Sequence, residues 1–101
     1  MKSITSKELK GEISKNKFSL VKIGSTWCGP CKMLSNILKQ IQTDFPIYDI
    51  DADANMEFCN EYNITNIPVL MVFDNSLNVV ERINKGLSKD ELEQLIAKYS
   101  Q

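Results

Sequence analysis

The chain reads as an α/β domain with one central mixed sheet of about five strands flanked by four helices. Three observations predict it. Short apolar runs of strand character alternate with amphipathic helical patterns along the whole length. Only Asp74-Asn75-Ser76-Leu77-Asn78 separates the last two strands, so a hairpin adds antiparallel pairing to an otherwise parallel arrangement. The 101 residues suffice for one modest core and contain no linker-like stretch, so 1–101 is expected to be a single domain.

Lys2 to Ile4 is a short first strand. Thr5-Ser6-Lys7-Glu8 is a capping box that opens a helix through Leu9 and Ile13 to about Lys15. Phe18 to Ile23 is an apolar strand, broken at Gly24-Ser25. The second helix starts at Cys28-Gly29-Pro30-Cys31, carries Met33, Leu34, Ile37, Leu38 and Ile41, and runs to about Phe45, before Pro46. Ile47 to Asp51 is another strand, and Asn55 to Tyr62 places Met56, Phe58, Cys59 and Tyr62 at helical spacings. Val69 to Phe73 and Val79 to Ile83 form the hairpin. Gly86 interrupts the pattern before a second capping box, Ser88-Lys89-Asp90-Glu91, and a last helix with Leu92, Leu95, Ile96 and Tyr99 on one face. The order is βαβαβαββα, with helices expected on both sheet faces.

Trp27-Cys28-Gly29-Pro30-Cys31-Lys32 carries the chemistry. Pro30 suits the first helical turn, where its missing N–H costs nothing. Cys28 then stands just outside the helix, facing unpaired N–H groups and the positive end of the dipole. Both favour the thiolate, the form that attacks disulfides. Cys31 lies in reach to displace whatever Cys28 captures. The spacing therefore reads as dithiol–disulfide exchange.

Composition narrows the alternatives. Net charge is −1, which suggests neither a nucleic-acid nor an anionic-membrane partner. No apolar stretch is long enough to span a bilayer, and the first residues lack the apolar core of a secretory signal. A cytoplasmic location is expected, where a CxxC is more often catalytic than structural. There is no histidine, so Cys–His catalysis and His-based metal sites are excluded. Cys28, Cys31 and Cys59 are one thiolate short of a structural zinc set, and a carboxylate would have to complete it. No metal or cofactor is expected. Cys59 reads as a small buried apolar residue, with regulatory oxidation as the alternative. A docking module with incidental redox chemistry is the rival from another class.

The WCGPCK motif, this order of elements and Ile67-Pro68 before the final hairpin together resemble the thioredoxin family over essentially the whole chain. The resemblance implies the thioredoxin fold and a protein disulfide reductase, with Cys28 the nucleophile and Cys31 the resolving thiol. It implies that Pro68 is a cis-proline opposite the cysteines. It also implies a shallow substrate groove lined by Trp27, Gly29, Pro30, Ile67, Pro68 and Gly86. The partners implied are disulfide-containing proteins and a thioredoxin reductase, NADPH- or ferredoxin-linked. A monomer suits such a carrier.

The chain departs from the family pattern in four ways. Gly24 stands where an aromatic residue is usual, Asn36 where a kink-forming proline is usual, and the hairpin loop is slightly longer. The fourth is an exchange of charges: Lys22 occupies the position of a buried aspartate six residues before the first cysteine, and Asp49 that of a lysine on the neighbouring strand. A buried, unpaired ammonium must lose its proton or gain a counter-charge. Asp49 is the expected partner, in a partly buried pair beneath the cysteines that acts in catalysis. The alternative is that both side chains reach solvent at strand ends.

Overall fold

The computed structural model describes residues 1–101. Its elements run β1 (Lys2–Ser3), α1 (Ser6–Ile13), β2 (Phe18–Gly24), α2 (Gly29–Gln40), β3 (Ile47–Asp51), α3 (Met56–Glu61), β4 (Val69–Asp74), β5 (Val79–Ile83) and α4 (Lys89–Tyr99). The five strands form one sheet in the order β1-β3-β2-β4-β5. β3 is parallel to β1 and β2, whereas β4 is antiparallel to β2 and β5. The mixed sheet with four helices is the expected architecture.

Alternation along the strands builds two cores, one on each face. Val21 and Ile23 of β2 and Val69, Met71 and Phe73 of β4 pack with Leu9 and Ile13 of α1 and Phe58 of α3. Leu20 of β2 and Leu70 and Val72 of β4 pack with Leu34 and Leu38 of α2 and Leu92, Leu95 and Ile96 of α4. β2 and β4 are buried on both faces, which is why they read as continuous apolar runs.

Both capping boxes form. Glu8 Oε1 accepts from the Thr5 N–H at 2.9 Å, and Ser88 Oγ accepts from the Glu91 N–H at 3.2 Å. Two helices end earlier than the periodicity predicts. α1 stops at Ile13 rather than near Lys15, with Ser14 as its C-cap. α2 stops at Gln40 rather than near Phe45, because Ile41 turns to extended backbone (φ −83°, ψ 120°). Ile41 and Phe45, beyond the helix, still pack against the α2/α4 core. In the hairpin loop, Asp74 Oδ1 accepts the N–H groups of Ser76 and Asn78, and Leu77 takes a positive φ of 67°.

Strand register gathers four chain segments at one end of the sheet. Gly24, the last residue of β2, pairs with Asp51, the last of β3, while Ile23 pairs with Val69, the first of β4. Ile83, the last of β5, lies one pairing further along, opposite Leu70. The loop to α2, the segment after β3, Ile67-Pro68 and the segment containing Gly86 therefore all leave from this end. In an α/β sheet that is where a site is expected.

Candidate active site

Cys28 is the N-cap of α2, with extended backbone (φ −92°, ψ 112°), and its Sγ accepts from the Cys31 N–H at 3.2 Å. A sulfur in this position takes one of the helix's unpaired donors, as a capping side chain does. Gly29 and Pro30 form the first turn and are exposed. Cys28 and Cys31 are joined as a disulfide, their Cα atoms 5.2 Å apart. Both are buried, Cys31 completely and Cys28 to 6% exposure.

Trp27, immediately before the bridge, is 70% exposed, so it is a surface aromatic and not part of the core. Its Nε1–H donates to Asp53 Oδ2 at 2.7 Å, which ties the loop before α2 to the segment after β3. The Ile67–Pro68 peptide is cis. Pro68 is buried and Ile67 half-buried against the α1/α3 core. Register places Pro68 beside the end of β2, one residue beyond the Ile23–Val69 pair. Gly86 is exposed, with nothing within 4 Å of where a Cβ would stand.

The charge exchange is a real contact. Lys22 Nζ lies 3.1 Å from Asp49 Oδ1, and the two residues are direct partners in the β2–β3 register. The lysine side chain is only 5% exposed and the aspartate 27%, so the pair is buried at one end and open at the other. Lys22 does not reach solvent, so the alternative in which both side chains do is set aside.

Gly24, in the sequence a strand breaker and a departure from the family pattern, is the last residue of β2 and central to the packing. A Cβ there would lie 2.9 Å from Cys31 Cβ, 3.0 Å from Cys31 Sγ and 3.2 Å from Lys22 Nζ. The resolving sulfur and the buried ammonium thus face the same point from two sides. Their separation is at most the sum of those two distances. Ser25 was missed: it is 8% exposed, and its hydroxyl has no hydrogen-bond partner. Asp53 could have been suspected from the acidic run Asp51-Ala52-Asp53 that follows a strand ending at this edge. Cys59 is half-buried rather than buried, its Sγ 3.8 Å from the Ala52 carbonyl, and burial followed by the Asp53 and Asp51 charges pushes its thiol up.

Comparison with known proteins agrees with this geometry. The family model described as Thioredoxin matches residues 1–98. The chain belongs to the thioredoxin family. It is 35% identical over 100 residues to a thioredoxin of Mycoplasmoides gallisepticum, covering 95% of this chain and 99% of that one. It is 33% identical to a thioredoxin of Listeria monocytogenes, covering 98% of each. Among solved structures it is similar to a mutant thioredoxin from Halobacterium salinarum, with a TM-score of 0.87 and 28% identity, over 99% of this chain and 92% of that one. Plasmodium falciparum thioredoxin gives a TM-score of 0.85 at 28% identity, over 98% and 99% of the two chains. A part of the chain, 60% of its length, is also 35% identical to a Mycobacterium leprae protein named bifunctional thioredoxin reductase/thioredoxin, of which it covers 14%. The thioredoxin-family chain is a protein disulfide oxidoreductase working by reversible exchange between the Cys28–Cys31 disulfide and its dithiol. No helix is long and apolar enough to cross a membrane.

Proposed function

We propose that this thioredoxin-family protein is a single-domain cytoplasmic monomer that reduces disulfides in other proteins and is recharged by a separate thioredoxin reductase. The observation that carries the catalytic assignment is the position of Cys28 as N-cap of α2, its sulfur already accepting from the Cys31 N–H. A thiolate there is stabilised by a hydrogen bond and by the dipole. Substrate docks on the surface of Trp27, Gly29 and Pro30, beside Ile67-Pro68 and Gly86, all of which leave from one end of the sheet. Cys28 thiolate attacks one sulfur of the substrate disulfide, forming a mixed disulfide and releasing the first substrate thiolate. Cys31 then gives up its proton and attacks Cys28 Sγ. The second substrate thiolate leaves, and two electrons have passed to substrate as the Cys28–Cys31 bond forms.

Lys22 and Asp49 serve the second step. The Lys22 ammonium stabilises negative charge developing on Cys31, and Asp49, through water, accepts the Cys31 proton. The cation favours the thiolate and so makes the disulfide more oxidising than one facing a buried carboxylate. The Mycobacterium leprae relative, whose name joins reductase and thioredoxin, supports a thioredoxin reductase as the recharging partner; the electron source is NADPH or ferredoxin.

A Cys31→Ser variant tests the assignment. It is expected to hold substrates covalently on Cys28, to release them with dithiothreitol, and to lose insulin reduction; Cys28→Ser is expected to trap nothing. Trapping on Cys59 instead, or full insulin reduction by Cys28→Ser, would overturn it.

A further inference from the structure

Behind the redox disulfide, on the α2/α4 face of the sheet, lies a cavity of about 360 Å³ whose lining includes no apolar side chain. Its floor is Lys22, Gly24 and Ser25, and the lack of a side chain at Gly24 lets Cys31 and Lys22 approach each other there. One wall is a stripe of α2: Lys32, Ser35, Asn36 and Lys39, spaced i, i+3, i+4 and i+7 and so on one face. The opposite wall is the end of β3, with Asp49 and Asp51. Two of the chain's departures from its family, Gly24 and Asn36, line this cavity together with the exchanged pair.

The buried donors here exceed the buried acceptors. Ser25 is more than nine-tenths buried, and its hydroxyl has no partner. An orphaned buried hydroxyl is costly, and it calls for an oxygen in the cavity. Lys22 brings three N–H donors, of which Asp49 takes one. Charge points the same way. Asp49 is matched by Lys22, and Asp51 Oδ1 already accepts the Asp53 N–H at 3.1 Å. Lys32 and Lys39, at the rim, are in no ion pair. The lining offers no apolar side chain to select a purely apolar ligand, and a cation would meet three ammonium groups against two carboxylates.

We propose that this cavity is a binding site for a small oxyanion of the phosphate or sulfate class. The anion's oxygens accept from Ser25 Oγ–H and the free Lys22 N–H groups, with the Asn36 amide and the Lys32 and Lys39 ammonium groups closing over it. Charge-assisted hydrogen bonds of this kind are short and strong, and partial burial shields them from salt. The cavity accommodates such an ion together with several waters, or an organic phosphate whose remainder extends between Lys32 and Lys39.

The test uses the oxidised 101-residue chain, in which no thiolate competes for Lys22, so the result does not depend on the catalytic role assigned to that residue. Inorganic phosphate and sulfate are titrated at constant ionic strength against chloride, with backbone amide NMR shifts as the readout. Saturable shifts are expected at Gly24 to Thr26 and at Ser35 to Lys39, with none from chloride. Ser25→Ala is expected to weaken binding about tenfold, the worth of one hydrogen bond to a charged acceptor. Asn36→Leu, which narrows the mouth with an apolar group at an exposed helix position, is expected to abolish it, while insulin reduction continues. Linear, non-saturating shifts, equal shifts with chloride, or unchanged affinity in both variants would overturn the site.

Discussion

Position 24 links two functional groups, the Cys31 sulfur and the Lys22 ammonium, through the side chain it lacks. Adding a single methyl brings it to 2.9 Å from Cys31 Cβ and 3.2 Å from Lys22 Nζ, so the neighbours must move. Gly24→Ala is expected to destabilise the oxidised protein by about 1–3 kcal/mol, the range for overpacking, as read by urea unfolding. The Lys22–Asp49 pair yields a sharper contrast, because its two members are unequally buried. Lys22→Met removes the buried charge and leaves Asp49 free to hydrate. Stability is expected to change little, while Cys28 alkylation at pH 7 slows several-fold and its pH profile moves to higher pH. Asp49→Asn instead leaves the ammonium buried without its counter-charge. A loss on the order of 1–3 kcal/mol is expected, below that of a fully buried pair because Asp49 is partly exposed. If Lys22→Met alters neither the alkylation profile nor the rate of insulin reduction, the pair is structural only.

Among the elements, the β5–α4 junction carries a pH-dependent clamp. Glu81 Oε1 accepts from Tyr99 Oη at 2.6 Å and from Lys98 Nζ at 3.0 Å. The tyrosine hydroxyl, then the lysine, hold the Glu81 carboxyl below its ordinary value. A carboxylate lowered in the folded state contributes stability above its unfolded value and loses it as pH falls through its folded one. Glu81→Gln is therefore expected to cost up to about 1 kcal/mol at neutral pH, little because the lysine is solvated, and progressively less at acid pH as the carboxyl takes up its proton. Denaturant unfolding of both proteins at neutral and acid pH measures this. The same scale shows what the sequence could reveal. Both capping boxes were legible because a Ser or Thr followed three residues later by Glu is a local signal, and the Lys22–Asp49 contact was legible through the family resemblance, which puts opposite charges at these two positions. The end of α2 was not: Ile41 and Phe45 keep the helical spacing of Leu34 and Leu38, so nothing local marks the change to extended backbone at Ile41. Nor was the cavity, since it depends on register and on α2's rotation, neither of which is encoded locally.

For the whole molecule, the redox bond and the two cores contribute stability on different scales. The Cys28–Cys31 bridge closes a loop of only a few residues, so the chain entropy it removes from the unfolded state amounts to at most about 2 kcal/mol. Each core side chain is worth more: Phe73, fully buried in the α1/α3 core, is expected to cost about 3–5 kcal/mol when cut to alanine. A domain of this size has on the order of 5–15 kcal/mol in total. Reduction should therefore lower the unfolding midpoint by no more than roughly 10–15 °C and leave the fold intact, whereas Phe73→Ala should exceed that shift in either redox state. Near-UV circular dichroism melts of the oxidised, reduced and Phe73→Ala proteins make the comparison. An exchange carrier needs this ordering, because its dithiol form must present the same docking surface as its disulfide form. If reduction alone unfolds the chain at 37 °C, the bridge is a structural staple, and repeated turnover through Cys28 and Cys31 is impossible.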